Sequence, residues 1–256
     1  MLVFDTFGQP EAEPLLIAHG LYGSRRNWRG IAKQLAEKFF VVVVDMPNHG
    51  SSPFRDEMTY PTMASDLADV IDASCDGRPA HVLGHSMGGK AAMAVALTEG
   101  KRVARLLVAD IAPVGYSHSH AHIIDAMEAV PIHSIKRRSE ARATLIERLE
   151  DPVLAAFLLQ QLEADADGFK WCLNLPTLRA YLDTLLDFPT FSEPAQHSTL
   201  FLTGGTSDYV DSNGREAARA HFPNARFATL KGAGHWLHAD APAAFVETAS
   251  AFFSAP

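Results

Sequence analysis

Short apolar runs recur along the chain, each stopped by Gly, Pro, Asn or Asp: residues 2–7, 15–19, 40–45, 80–84, 105–110, 199–203 and 226–230. Runs such as Val41-Val42-Val43-Val44-Asp45 do not alternate polar with apolar positions. Strands of that kind need cover on both faces, which predicts interior parallel strands. Between them, apolar residues return every three or four positions over 28–38, 61–74, 87–99, 214–221 and 242–253, predicting helices. Asp240 followed by Pro242 is an N-terminal signal for the last of these. Strand–helix alternation of this sort points to right-handed crossovers and a three-layer α/β sandwich, with the first run as an antiparallel edge.

One stretch breaks the rhythm. From Pro113 to Pro189 no strand is evident, and Ile123, Met127, Leu145, Leu149, Leu154, Phe157 and Leu158 fall at helical spacings. Long insertions inside an α/β chain are usually functional, so residues 113–189 are expected to form a helical cap on a core made by 1–112 and 190–256.

Composition narrows the class. With 47% hydrophobic and 20% charged residues, 15 Pro and 17 Gly, the chain is neither disordered, collagenous nor a coiled coil. At 256 residues, about 11,000 of about 40,000 Å² of surface should stay exposed, enough burial for a complete core without metals or disulfides. The 22 basic and 30 acidic residues leave a net charge of −8, unsuited to a partner held by its phosphates, so no nucleic acid is expected. Cys75 and Cys172 lie far apart in no metal-like spacing and read as apolar filler. The longest apolar run, 39–44, is too short for membrane insertion, and the first residues carry no basic, then long apolar, secretory pattern. The cytoplasm is the expected location.

The strongest chemical signal is Gly84-His85-Ser86-Met87-Gly88-Gly89, directly after the strand Ala80-His81-Val82-Leu83 and opening an Ala-rich helix. A serine at a tight strand-to-helix turn takes a strained backbone and needs tiny neighbours. Its hydroxyl is lifted above the sheet, with a helix N-terminus beneath favouring developing negative charge. Such a nucleophile needs a base. Of twelve histidines, His235 stands in Gly232-Ala233-Gly234-His235-Trp236, after the last strand and before the last helix, at the correct edge of the sheet. His238 reads as structural. The third member is contested: Asp110 ends the strand at 105–110, and Asp208 lies in the loop after 199–203. Both satisfy the Ser…Asp…His order, and Asp110 is favoured. Asp45, ahead of the serine, reads as structural. The turn His19-Gly20-Leu21-Tyr22-Gly23 supplies oxyanion donors: the backbone N–H groups of Leu21 and Met87. Gly20, Tyr22 and Trp236 are the expected substrate-binding residues. Asn48-His49-Gly50-Ser51 reads as a structural turn on the same rim. His118 and His122 share a helix face but lack acidic or thiol company beyond Asp125, so no metal is expected, and the triad needs no cofactor.

The strings HGLYGS, VDMPNHGSSP, LGHSMGGKAAM, VADIAPVGY and GAGHWLHAD resemble the YbfF-type bacterial esterases of the α/β-hydrolase superfamily, whose animal relatives include a mitochondrial abhydrolase-domain protein. The resemblance spans nearly the whole chain and is weakest in the cap. It implies an eight-stranded-type α/β-hydrolase core with a helical cap after strand 6, Ser86 as nucleophile and His235 as base. Relatives have Gly-Gly-x-Ser in the loop matching 204–210 and take their acid from the Asp of Asp-Ile-Ala-Pro, here Asp110; the additional Asp208 keeps both acids open. The chain also departs at Pro47, where relatives tend to have Arg, and at Phe54, where a basic residue is common, which weakens the case for an anionic substrate group at that rim. The expected function is a serine carboxylesterase for small acyl esters of short to medium chain length. An acyl-CoA thioesterase, a carbon–carbon bond hydrolase, a perhydrolase and a non-catalytic small-molecule receptor are the alternatives on the same fold.

Overall fold

A computed structural model describes residues 1–117, 119–166 and 168–255. In chain order these form β1 (Phe4–Phe7), β2 (Glu13–Ala18), α1 (Arg29–Leu35), β3 (Phe39–Val44), α2 (Tyr60–Ser74), β4 (Ala80–His85), α3 (Met87–Thr98) and β5 (Val103–Ala109). An inserted region follows, with α4 (Ala121–Glu128), α5 (Arg138–Leu149), α6 (Pro152–Leu158), the hairpin β6 (Leu162–Asp165) and β7 (Gly168–Trp171), α7 (Leu175–Ala180) and α8 (Leu182–Leu186). The chain closes with β8 (Ser198–Gly204), α9 (Ser212–His221), β9 (Ala225–Leu230), α10 (Leu237–Asp240) and α11 (Pro242–Phe253).

Seven strands make one sheet in the order β1-β3-β2-β4-β5-β8-β9. β1 is the antiparallel edge, and the other neighbouring pairs run parallel. The continuous apolar runs are explained by two-sided cover. Val42 and Val44 of β3, with Leu16, Val82 and Val108, face one layer that includes α2 and α3. Val41 and Val43, with Leu15, Ile17, Leu83 and Leu107, face the other, which holds α1 and α11. Alternate side chains of a strand point to opposite faces, so an unbroken run of valines feeds two cores at once. The accessible surface is 11265 Å², close to that expected for one compact body of this size.

Two expectations are corrected. All seven apolar runs are used in this sheet, so among the described residues the core has seven strands, not eight, and the insertion follows the fifth strand in chain order. The insertion is also not purely helical. β6 and β7 pair antiparallel with Leu162 opposite Trp171 and Glu163 opposite Lys170. Four-residue strands of mixed polarity carry no readable alternation, and an isolated short hairpin is marginal in water. Here neighbours hold it: Phe169 N–H donates to the Ile132 carbonyl, the Trp171 indole to that of Met127 at 3.1 Å, and Cys172 N–H to that of Gln161 at 2.7 Å.

Candidate active site

Parallel register brings the key positions side by side. His85 of β4 pairs with Ala109 of β5, and Ala109 with Leu202 of β8. The next residues along β4 and β5, Ser86 and Asp110, therefore leave the sheet together at its carboxyl edge, the edge where open α/β sheets carry their sites. Both turn sharply, with φ of 52° at Ser86 and 53° at Asp110. Such backbone costs about 1–3 kcal/mol per residue and persists only where the surroundings enforce it. Gly88 is required two residues after Ser86, because a Cβ there would lie 2.4 Å from the carbonyl oxygens of both Ala18 and His19.

The His235 ring lies between the two. Its Nδ1–H donates to Asp110 Oδ2 at 2.8 Å, leaving Nε2 to accept from the Ser86 hydroxyl at 3.1 Å. Asp110 is buried, and its carboxylate also accepts from the Ser207 hydroxyl on Oδ2 and from Gly204 N–H, at 2.8 Å, on Oδ1. Tyr209 stacks on the imidazole with ring centroids 4.0 Å apart, fixing its plane. Asp208 is exposed and makes no hydrogen bond to His235 among the described residues. Its neighbour Ser207 holds the carboxylate instead. The signal for Ser207 was its place three residues after Gly204.

The turn after β2 passes directly in front of Ser86. A Cβ on Gly20 would sit 3.1 Å from Ser86 Cβ and 2.9 Å from His85 Nδ1, so only glycine lets the chain approach this closely. The Gly20 carbonyl accepts from His19 Nδ1–H at 2.8 Å and from Gly23 N–H at 3.0 Å. In a trans peptide, fixing that carbonyl also fixes the opposed N–H of Leu21. Neither Leu21 N–H nor Met87 N–H is bonded to a protein acceptor among the described residues. His49 Nε2 accepts from Tyr22 N–H at 3.1 Å, and Tyr22 is a third residue with strained backbone, at φ of 61°. Sequence reasoning missed His19 and His49 as holders of this turn, since a histidine bonded to backbone 27 residues away leaves no local pattern.

Both rings are neutral by construction. His19 Nε2 accepts from Met46 N–H at 2.9 Å, and His49 Nδ1–H donates to the Pro47 carbonyl at 2.8 Å, so each ring has one donor and one acceptor nitrogen in use. Burial pushes the His19 imidazole down to about 4, against a smaller opposing effect of the Gly20 bond. It pushes His49 down to about 3, helped by the neighbouring His19. Burial likewise lowers His238, stacked on Trp28, to about 3, and lowers His85 well below its ordinary value. With native values below the unfolded 6.5, protons enter the unfolded chain first, and folding stability present above pH 6.5 is lost as pH falls towards 4. Thermal midpoints measured from pH 7.5 to 4.5 should therefore fall steeply below 6.5, and less steeply in His49→Gln. A midpoint flat between pH 6.5 and 5, above most carboxylate titration, contradicts this.

A cavity of about 260 Å³ opens over Ser86. Gly20, Leu21, Tyr22, His235 and Trp236 line it, as do Ile123 of α4 and Leu154 and Phe157 of α6 from the insertion. The Tyr22 hydroxyl donates to the His120 carbonyl at 3.4 Å, and the Trp236 ring packs on Phe157 at 5.5 Å, so core and insertion meet at two places along the cavity lining. No Asp, Glu, Lys or Arg lines the cavity among the described residues. Met87 contributes its backbone beneath, at the first turn of α3. His118 lies outside the described residues, His122 is exposed, and no group of three metal-ligating side chains occurs among the described residues. Asp45 is structural: buried, it accepts from Arg25 and Ser51 N–H at 2.8 Å and pairs with the Arg25 guanidinium. The turn at Asn48 docks on the insertion, its carbonyl accepting from Asn174 N–H at 3.0 Å.

Sheet order, carboxyl-edge turns and this hydrogen-bond chain together define a hydrolase of the α/β class. The chain belongs to the alpha/beta hydrolase family, whose model matches residues 15–248. It is 40% identical over 252 residues to the sn-1-specific diacylglycerol lipase ABHD11 of Xenopus laevis, covering 93% of this chain and 79% of that protein. It is 38% identical over 236 residues to esterase YbfF of Escherichia coli (strain K12), covering 91% and 90%. Among solved structures it superimposes on a marine microorganism esterase with a TM-score of 0.94 at 36% identity, covering 98% of both chains.

Proposed function

We propose that this protein is a serine carboxylesterase for uncharged acyl esters of short to medium chain length. The single observation that carries the reading is the unbroken chain Ser86–His235–Asp110 on the floor of an apolar cavity, beside two unspent backbone N–H groups. Ser86 attacks the ester carbonyl while His235 Nε2 takes its proton. The oxyanion is held by the N–H groups of Leu21 and Met87, with the first turn of α3 adding its positive end. His235 then protonates the leaving alcohol, and water attacks the acyl-enzyme with the roles reversed. Asp110 holds the imidazole in the required tautomer and stabilises it when charged.

Gly20, Tyr22 and Trp236 shape the acyl and alcohol sides of the cavity, and residues 113–189 act as the cap that closes it over the 1–112 and 190–256 core. A small, uncharged lining supports acyl groups of modest length and disfavours acyl groups bearing carboxylate or phosphate, because a charge moved there would lose hydration without gaining a partner. Relatives named as esterase and lipase support the ester as substrate. A cytoplasmic location belongs to this reading, resting on Cys75 and Cys172, both buried and unpaired, as thiols are kept in reducing compartments. No helix among the described residues is long and apolar enough to cross a membrane.

The test is a p-nitrophenyl ester series from acetate to laurate, alongside a hemisuccinate ester. We expect kcat/KM to peak between butyrate and octanoate and to be about 100-fold lower for the anionic acyl group. An absence of turnover on every ester, with no labelling by a fluorophosphonate, rejects the reading.

A further inference from the structure

One turn beyond Ser86, with its N–H on the Ser86 carbonyl at 3.0 Å, α3 carries Lys90 into the interior, where it is only 1% exposed. Its three ammonium protons match three backbone acceptors: the carbonyls of Val114 at 2.8 Å, Leu186 at 2.7 Å and Asp187 at 2.8 Å. Val114 lies at the start of the inserted region, four residues after Asp110, and Leu186 and Asp187 at its end. The two connections also bond to each other, Tyr116 N–H donating to the Leu186 carbonyl at 3.1 Å. The ammonium lies 4.7 Å from the Tyr116 ring centroid and 5.8 Å from that of Tyr60, whose hydroxyl donates to the Leu185 carbonyl. No carboxylate among the described residues is bonded to it. A cation taken out of water and satisfied only by carbonyls is costly to retain, and a methionine or leucine would fill the same space.

We propose that Lys90 is a positioning residue that clasps both ends of the inserted region to the nucleophile helix, setting how closely the cap closes on longer acyl chains. This rests on the esterase reading of the same cavity. The clasp acts at a distance from the chemistry: Leu21, Met87, Ser86 and His235 belong to the core, whereas Ile123, Leu154 and Phe157, which a longer acyl chain reaches, belong to the inserted region whose two ends Lys90 ties down. An acetyl group touches the first set, an octanoyl group both. Loosening the clasp should therefore weaken binding of long acyl chains and leave the chemical step alone.

A titration accompanies this geometry. Burial pushes the Lys90 amine down to about 7, the Asp187 carboxylate opposing it more weakly. The other titratable groups facing it are the hydroxyl-bearing rings of Tyr60 on α2 and Tyr116 on the first connection, both raised by burial and so neutral across the working range. Above pH 7 the amine keeps two protons for three carbonyls, and one bond of the clasp is lost.

The experiment compares p-nitrophenyl acetate and octanoate, wild type against Lys90→Met, from pH 6 to 9. We expect Lys90→Met at pH 6.5 to raise KM for octanoate about tenfold, with kcat and both acetate constants within about threefold. Equal losses on both esters, or no change on either, overturn the proposal. Should Lys90→Met fail to fold, wild type alone decides: its octanoate KM should rise through pH 7 while its acetate KM stays level, and a level octanoate KM overturns the clasp. Wild type that turns over neither ester instead removes the esterase reading.

Discussion

Ser86→Ala lowers kcat for p-nitrophenyl butyrate by about a millionfold while leaving the fold intact. The fold stays intact because, among the described residues, the Ser86 hydroxyl bonds only to His235 Nε2, and the strained turn is held by backbone, with Ser86 N–H on the Ala109 carbonyl at 3.0 Å. Alanine keeps the Cβ and the turn but removes the only oxygen that can attack. The cavity and both proposed oxyanion donors survive, so the variant should still bind substrate, with a near-ultraviolet dichroism spectrum and thermal midpoint like those of wild type. Activity within a few-fold of wild type, in protein free of host esterase, ends the proposed mechanism.

The second large effect separates the two candidate acids. Asp110→Asn should cost about 10⁴-fold in kcat, and Asp208→Asn no more than a few-fold. The size follows from donor counting. Both oxygens of Asp110 accept hydrogen bonds, Oδ1 from Gly204 N–H and Oδ2 from His235 and Ser207. An asparagine must place its NH₂ at one of these positions. At the first it opposes a backbone donor that cannot turn away. At the second, the Ser207 hydroxyl can rotate to accept, but His235 must move its proton to Nε2, and an imidazole with that tautomer cannot take the proton of Ser86. Asp208 makes no such contact among the described residues: it is exposed, and its carboxylate lies outside the hydrogen-bond chain. A collapse in Asp208→Asn with Asp110→Asn near wild type would reverse the assignment.

The positions that sequence reasoning located most sharply are those bracketed by glycine. Gly84-x-Ser86-x-Gly88 and Gly232-Ala233-Gly234-His235 announce tight backbone at the ends of apolar runs, and both properties are local, written within a handful of residues. The contest between Asp110 and Asp208 was legible only as a contest. Each ends or follows a strand and each precedes the histidine; the placement of Ser207 three residues after Gly204 tilted the choice towards Asp110 without deciding it.

The amino-acid sequence by itself determined the layered architecture, the edge of the sheet that carries the site, and two of the three groups in the hydrogen-bond chain, because strand periodicity and glycine placement act over short stretches of backbone. Only the tertiary structure decided which carboxylate meets the imidazole, that His19 and His49 steady the turn before Ser86, that the insertion contains a hairpin, and that Lys90 joins its two ends. Each of those depends on groups far apart in the chain, such as Gly204 N–H and Asp110 at a separation of 94 residues. A hydrogen bond between such partners exists only once the register of the intervening strands has been set, and no pattern of neighbouring residues records it.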